Sequence, residues 1–186
     1  MEPQFGDRQV ITDTDLKHLV RAVDLAEAAL ATDNDPFGSV LVSADGRVLF
    51  EDHNWESTGD GTRHPEIDIA KWAAAHMTPD ERAKATVYTS GEHCPMCSAA
   101  HAWVGLGRIV YAGSSAQLGQ WLGEVGAPPP PVATLPINAI APGVSVEGPE
   151  PSLSARLRDL HHRRAAAKAG RQELSPGHSG EGRNPS

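Results

Sequence analysis

The sequence contains few cysteines and no long apolar run. Its 186 residues include only two cysteines, Cys94 and Cys97, so the disulfide framework of a small secreted domain is excluded. No stretch approaches the ~20 apolar residues that span a bilayer, and the N-terminus lacks the basic and then apolar order of a signal peptide. We therefore expect a soluble cytoplasmic protein that has no membrane partner.

Basic residues are scarce outside the C-terminal region. The net charge is −8, and because residues 151–186 carry +4, residues 1–150 carry −12. Proteins that bind nucleic acid do so largely through clustered Lys and Arg, so this acidic body disfavours a nucleic-acid partner and favours a small-molecule substrate. The arginines of residues 156–171 leave RNA contact open, although a solvated basic helix on an acidic body also explains them.

Length and composition predict one domain over residues 1–168. Its core is expected at about 14–113. The proline-rich segment 127–143 is predicted to be extended over the surface, and a helix is predicted over about 151–168. Residues 169–186 are polar and rich in Gly and Pro, which predicts a disordered tail.

Helical and β patterns alternate along the core. Apolar spacing predicts a helix over 14–32, with Asp13 or Thr14 as its cap. Two β-rich runs joined by Ala44-Asp45-Gly46 predict a hairpin. Further helices are predicted over 65–76, 95–105 and about 117–122, and further strands over 86–89 and 108–111. This order predicts an α/β fold whose sheet is covered by helices on both faces.

The C-terminal helix carries one apolar stripe. Leu153, Leu157 and Leu160 repeat at helical spacing and predict that the helix docks on the core. The arginines at 156, 158, 163 and 164 are predicted to point outward, and His161-His162 is predicted to lie on the solvated face.

Two short motifs hold the residue types of a metal site. His64-Pro65-Glu66 and His93-Cys94-Pro95-Met96-Cys97 each place Pro at the first position of a predicted helix. Cys94 and Cys97 then share one face at a helix N-terminus, where thiolates form most readily. Two thiolates and His64 are three ligands for Zn²⁺, which leaves a fourth position for water, as in catalytic sites. Glu66 is then available to transfer protons.

Other interpretations of the two motifs stay open at this point. The two cysteines could be a thioredoxin-like redox pair, although this leaves His64 and Glu66 unused. A closed structural zinc site would need a fourth ligand, for which His93 or His101 can be proposed. The His93 side chain is expected to point elsewhere, because it directly precedes a ligand.

Together the motifs resemble those of the zinc-dependent cytidine and purine deaminases. Residues 88–97 look most like bacterial guanine deaminases and their tRNA adenosine deaminase relatives, with further matches at 35–38, 53–54 and 60–64. The resemblance covers about 14–113, and the segment from Ser114 onward does not match. His93 stands where the family has Pro, and Pro65 stands where Ala is commoner; neither change removes a metal ligand.

The resemblance implies a three-layer α/β/α sandwich with a mixed sheet of the cytidine deaminase type. It also implies hydrolytic removal of an exocyclic amine from a nucleobase or nucleoside, first of the guanine type, and a homodimer. The implied site consists of the ligands His64, Cys94 and Cys97 for one zinc per chain, the proton-transferring Glu66, and the substrate contacts Asn54, Trp103 and Phe37.

Several alternatives to these implied roles remain. Asn54 could instead be a turn former, and Trp103 could be a core residue. A tRNA adenosine deaminase is the leading alternative function, and a cytosine or cytidine deaminase follows it. A redox or structural-zinc protein is the non-enzymatic alternative.

Overall fold

Five strands form one mixed sheet in the structure, a computed structural model that describes residues 10–174. They are β1 (Gly38–Val42), β2 (Val48–His53), β3 (Thr86–Gly91), β4 (Arg108–Gly113) and β5 (Val146–Glu147), in the spatial order β2-β1-β3-β4-β5. β1 is antiparallel to β2 and β3, whereas β3, β4 and β5 are parallel. The predicted hairpin and mixed sheet are confirmed.

Helices cover both faces of this sheet. They are α1 (Asp13–Ala31), α2 (Pro65–His76), α3 (Pro79–Lys84), α4 (Pro95–Val104), α5 (Ser115–Glu124), α6 (Ile137–Ile140) and α7 (Ser154–Leu174), with 3₁₀ turns at Glu56–Thr58 and Pro151–Leu153.

The alternation of strand side chains separates two cores. Val40 and Val42 of β1 pack with α1, α5 and α7, whereas Leu41 packs on the other face with α2 and α4. Successive strand residues point to opposite faces, so one short apolar strand serves both cores. The predicted α/β fold with three layers is confirmed.

Three chain segments meet at one end of the sheet because of the strand pairing. Gly38 at the start of β1 pairs with His53 at the end of β2, and Ser39 pairs with Thr89 near the end of β3. The residues that precede β1, follow β2 and follow β3 are therefore neighbours. The predicted site residues Phe37, Asn54 and Cys94 come from these three segments.

Some local predictions differ from the structure. Thr12 caps α1, rather than Asp13 or Thr14, because its hydroxyl accepts the Asp15 N–H while the Asp15 carboxylate accepts from Thr12. α3 and β5 were not predicted. The segment 127–143, predicted to be extended on the surface, contains α6, whose Ile137 is fully buried.

The C-terminal helix docks through Leu153, Leu157 and Leu160 as predicted, but two other predictions about it are wrong. Arg164 is buried against acidic loops rather than turned outward, and His161 is buried between rings rather than solvated. The helix also continues to Leu174, past the predicted end at 168. The remainder of the predicted disordered tail lies outside the described residues.

Among residues 10–174, the structure contains no helix with the length and apolar character needed to span a membrane.

Candidate active site

α2 and α4 begin side by side at the end of the sheet described above. His64 and Cys94 have extended backbone conformations, and the prolines that follow them occupy the first helical positions. Proline disfavours the helical region for the residue before it, so both helices start where the sequence predicts. Both side chains therefore stand just outside their helices and face each other.

His64, Cys94 and Cys97 form one compact group. His64 Nδ1 lies 3.7 Å from Cys94 Sγ and 3.6 Å from Cys97 Sγ, and the two sulfur atoms are 3.5 Å apart. Tetrahedral zinc, with bonds of about 2.3 Å to sulfur and about 2.0–2.1 Å to nitrogen, separates such ligand atoms by roughly 3.5–3.8 Å. The donor set and its spacing fit one zinc ion.

The electrostatics of this group favour a thiolate. The pKa of Cys94 is lowered to about 4, first by its hydrogen bond with Cys97 and then, against the effect of burial, by His64. The hydrogen bond with Cys94, together with burial and the nearby Glu66 carboxylate, raises the pKa of Cys97. The hydrogen bond between Cys94 and His64 raises the pKa of His64 to about 9, against the effect of burial. Metal ligands must be deprotonated, so zinc binding here releases protons and strengthens as pH rises.

His93 and His101 stand apart from the three ligand atoms. Both side chains are buried, and their rings contact each other with centroids 5.4 Å apart. His101 Nε2 is hydrogen-bonded to the Gly107 carbonyl oxygen. Neither belongs to the compact ligand group found within residues 10–174. The arrangement therefore leaves three protein ligands, as in catalytic rather than closed structural zinc sites.

Glu66 lies beside the ligands and is held through one oxygen. Its side chain is buried, and Oε1 lies 2.9 Å from both Ser39 Oγ and Thr89 Oγ1. Oε2 lies 3.7 Å from Cys97 Sγ. The two hydroxyls anchor one oxygen and leave the other facing the ligand group. Sequence reasoning missed Ser39 and Thr89, for which the only signal is a polar residue inside each apolar strand.

Asn54 is buried directly after β2. Its backbone N–H donates to the Phe37 carbonyl, and Nδ2 donates to Glu56 Oε2 at 3.2 Å. The Trp55 N–H donates to the Arg63 carbonyl at 3.0 Å, which brings the segment after β2 beside the residue that precedes His64. Asn54 Oδ1 is buried and has no hydrogen-bond partner within the described part of the chain. This acceptor is available to a ligand, and the substrate role of Asn54 stays a prediction.

Phe37 and Trp103 occupy different environments. Phe37 lines a recess with Gly91, Glu92, Trp121 and His161, and its ring centroid lies 5.2 Å from that of His161. Trp103 is 89% exposed on α4, so within one chain it is neither a core residue nor a wall of this recess. The alternative that Trp103 is a core residue is therefore wrong, and its contact with substrate stays a prediction.

Glu56 and Arg164 also reach this end of the sheet, and sequence reasoning identified neither as part of a site. Burial and the neighbouring Asp35 carboxylate raise the pKa of Glu56, and Lys168 opposes this. Burial acts to raise the pKa of Asp35, but its hydrogen bonds, including those from Arg164 and Lys168, lower it to about 2. No sequence pattern signals these contacts, because α7 lies more than a hundred residues along the chain from Asp35.

Known proteins share this motif set and fold. The family model for the cytidine and deoxycytidylate deaminase zinc-binding region matches residues 12–113. A probable cytosine deaminase of Schizosaccharomyces pombe is 29% identical over 74% of this chain and 89% of its own length. The guanine deaminase of Bacillus subtilis is 36% identical over 50% of this chain and 61% of its own length.

A solved structure of guanine deaminase from Nitrosomonas europaea shares the fold. Its TM-score to this protein is 0.58 at 21% sequence identity, and the match covers 83% of this chain and 87% of the other. The likeness therefore extends past residue 113 into the C-terminal part.

Proposed function

Since the chain belongs to the zinc-binding cytidine and deoxycytidylate deaminase family and is a deaminase of nucleobases or nucleosides, we propose that its substrate is a free purine base or nucleoside of the guanine type. The observation that carries the proposal is Asn54 Oδ1, which is buried without a hydrogen-bond partner among residues 10–174 and belongs to the segment that meets the residue before His64. Guanine offers ring N–H groups to such an acceptor. The Bacillus subtilis relative is a guanine deaminase, which supports this choice of base.

The site residues have separate roles in the proposed reaction. His64, Cys94 and Cys97 would hold the zinc ion, which when bound lowers the pKa of a water from about 15.7 to about 7. Glu66, anchored through Oε1, uses Oε2 to accept a first proton from the attacking water and deliver it to a ring nitrogen. It then carries the second proton, from the hydroxyl now bonded to the ring carbon, to the amine, which leaves as ammonia while the carbon becomes a carbonyl. Phe37 contributes an apolar wall against the base.

The charges on α7 favour a small substrate over tRNA. Each of its Lys and Arg side chains from Arg156 to Arg171 is paired with carboxylates. The pairs are Arg156 with Asp24 and Glu27, Arg158 with Glu124, Arg163 with Glu27 and Asp159, Arg164 with Asp33, Asp35 and Glu56, Lys168 with Asp35 and Glu56, and Arg171 with Asp33. Affinity for phosphates requires uncompensated basic charge, which this helix does not present.

A cytosine or cytidine substrate is the second candidate, because the Schizosaccharomyces pombe relative matches more of this chain than the guanine deaminase of Bacillus subtilis does. Ammonia release from guanine, guanosine, adenine, adenosine, cytosine, cytidine and tRNA tests the proposal. We expect turnover of guanine or guanosine to exceed that of every other substrate. Turnover of cytosine or of tRNA alone would contradict it.

A homodimer is the quaternary structure that we propose. Trp103 is 89% exposed and Met96 is 36% exposed, and the two lie seven residues apart on one face of α4. Large exposed apolar side chains on one face are typical of an interface. We expect sedimentation of a species twice the 19.7 kDa chain mass, and dissociation in Trp103→Ser. Sedimentation of the single chain alone would contradict the dimer. Cytoplasmic location and one domain through residue 168 stay predictions.

A further inference from the structure

Glu56 connects the C-terminal helix to Asn54. It lies in the 3₁₀ turn after β2, where Oε2 accepts from Asn54 Nδ2 at 3.2 Å and Oε1 accepts the Asp35 backbone N–H at 3.1 Å. On its other side, Arg164 Nη2 lies 3.5 Å and Lys168 Nζ lies 3.7 Å from Oε1. The carboxylate is thus placed between two cations of α7 and the amide of Asn54.

This contact determines which way the Asn54 amide points. An ionised carboxylate can only accept hydrogen bonds, so Asn54 must turn its NH₂ group toward Glu56 and its oxygen away. That oxygen is one of six buried side-chain atoms without a hydrogen-bond partner among the described residues, and it is the one amide oxygen of the six. Buried amide oxygens nearly always have hydrogen-bond partners, so an orphaned one at this position indicates a ligand group that donates.

Asn54 belongs to a segment that meets the residue before His64. Asn54 precedes Trp55 and His64 follows Arg63, and the backbones of Trp55 and Arg63 are joined by a hydrogen bond of 3.0 Å. The side chain of Asn54 therefore projects from a segment adjacent to the His64 end of the ligand group.

We propose that Glu56, held by Arg164 and Lys168, is a positioning residue that orients the Asn54 amide, so that Oδ1 accepts a hydrogen bond from a ring N–H of the base. This inference rests on the proposed function, because it states that the base donates and Asn54 accepts in their hydrogen bond. The site then binds preferentially those bases that present a ring N–H donor to Asn54. Glu56 itself does not contact the base.

A purely structural role for Glu56, as an anchor for α7, fits the geometry less well. Arg164 lies 2.7 Å from Asp33 and 2.6 Å from Asp35, closer than its 3.5 Å approach to Glu56. Lys168 also pairs with Asp35. The helix is therefore anchored without Glu56, whereas Asn54 Nδ2 has Glu56 as its acceptor.

Glu56→Gln is the variant that separates the two roles. Glutamine has the same shape but can turn either its N–H or its oxygen toward Asn54, so the amide loses its single orientation. We expect the KM for the base to rise about tenfold, with a smaller change in kcat, because a buried hydrogen bond to substrate is lost in part of the molecules. In the Asn54→Ala background the same substitution should change kcat/KM less than about twofold.

Arg158→Met is the matched control, because Arg158 lies on the same helix and pairs with Glu124 away from Glu56. It should leave KM, kcat, zinc content and thermal stability unchanged. The kinetics use whichever base of the ammonia panel the wild type converts fastest. If Glu56→Gln lowers kcat/KM by the same factor in the wild-type and Asn54→Ala backgrounds, the two residues act independently of each other. That result would overturn the proposal.

Nuclear magnetic resonance gives a test that needs no turnover. The ¹⁵N side-chain amide signal of Asn54, identified by its loss in Asn54→Ala, should shift in Glu56→Gln and stay in place in Arg158→Met. An unshifted signal in Glu56→Gln would overturn the proposal. If the wild type releases no ammonia from any base, the proposed function fails, and this signal still decides whether Glu56 orients Asn54.

Discussion

Glu66 shows how single contacts assign a role to a residue. Ser39 and Thr89, which pair across β1 and β3, both reach Oε1, while Oε2 faces Cys97. A carboxylate held by one oxygen keeps the other available for proton transfer without free rotation. Burial also separates this carboxylate from bulk water, which is consistent with the proposed proton transfer.

Glu66→Gln tests this role directly. The amide preserves shape but cannot carry a proton between water and base, so kcat should fall by about 10²–10⁴-fold, the range for general acid-base groups. Zinc content and thermal stability should match the wild type, as measured by elemental analysis and circular dichroism. Full activity in this variant would refute the proton-transfer role.

Cys97→Ala tests the ligand assignment. Removing one of three ligands should reduce bound zinc from one ion per chain to a small fraction and should lower the melting temperature. Met96→Ala changes the neighbouring, more exposed residue and should retain full zinc. Tight stoichiometric zinc in Cys97→Ala, measured by elemental analysis after purification under reducing conditions, would show that Cys97 is not a ligand.

α1 packs so closely against β1 that each limits the position of the other. A Cβ built on Gly38 would lie 2.5 Å from both the Ala22 carbonyl oxygen and Leu25 Cβ, so the helix crosses the strand at a distance that only glycine allows. β1 in turn carries Ser39, which anchors Glu66. The helix-to-strand distance is thereby coupled to the position of the site.

Gly38→Ala should destabilise the protein by about 1–3 kcal/mol, because the added methyl group forces the helix and strand apart. Gly61→Ala is the matched control, since its backbone is not left-handed and a Cβ added there meets no described residue within 4 Å beyond its two chain neighbours. Urea denaturation should separate the two variants clearly. Equal unfolding midpoints would contradict this account of the close approach.

At the scale of the whole molecule, α7 packs onto the core and buries one of its own histidines. His161 lies between the rings of Phe37 and Trp121, with centroid distances of 5.2 and 5.9 Å. Burial, countered by Asp35 and reinforced by His162 and Lys168, lowers the pKa of His161 to about 4. The folded protein therefore holds this imidazole neutral at pH values where the unfolded chain protonates it.

This difference makes stability depend on pH. Because the ordinary pKa of histidine is near 6.5, the unfolded chain binds an extra proton between about pH 6.5 and pH 4, so stability falls as pH falls through that window. In His161→Phe the loss of unfolding free energy between pH 7 and pH 5 should be smaller by about 1–2 kcal/mol. The unfolding free energies are measured by urea denaturation. If wild type and variant lose the same amount between pH 7 and pH 5, the role of His161 in the pH dependence is contradicted.

The sequence by itself identified the three candidate zinc ligands, the two helix starts and the α/β order. These depend on neighbouring residues, such as a proline that directly follows His64 or Cys94, and on short-range periodicity. The tertiary structure alone decided which distant residues support the site. Arg164 and Asp35 are 129 positions apart, and Ser39 and Thr89 reach the same oxygen of Glu66 only because β1 lies beside β3. Local pattern carries no record of such pairings, because they form when separate elements pack against a common sheet.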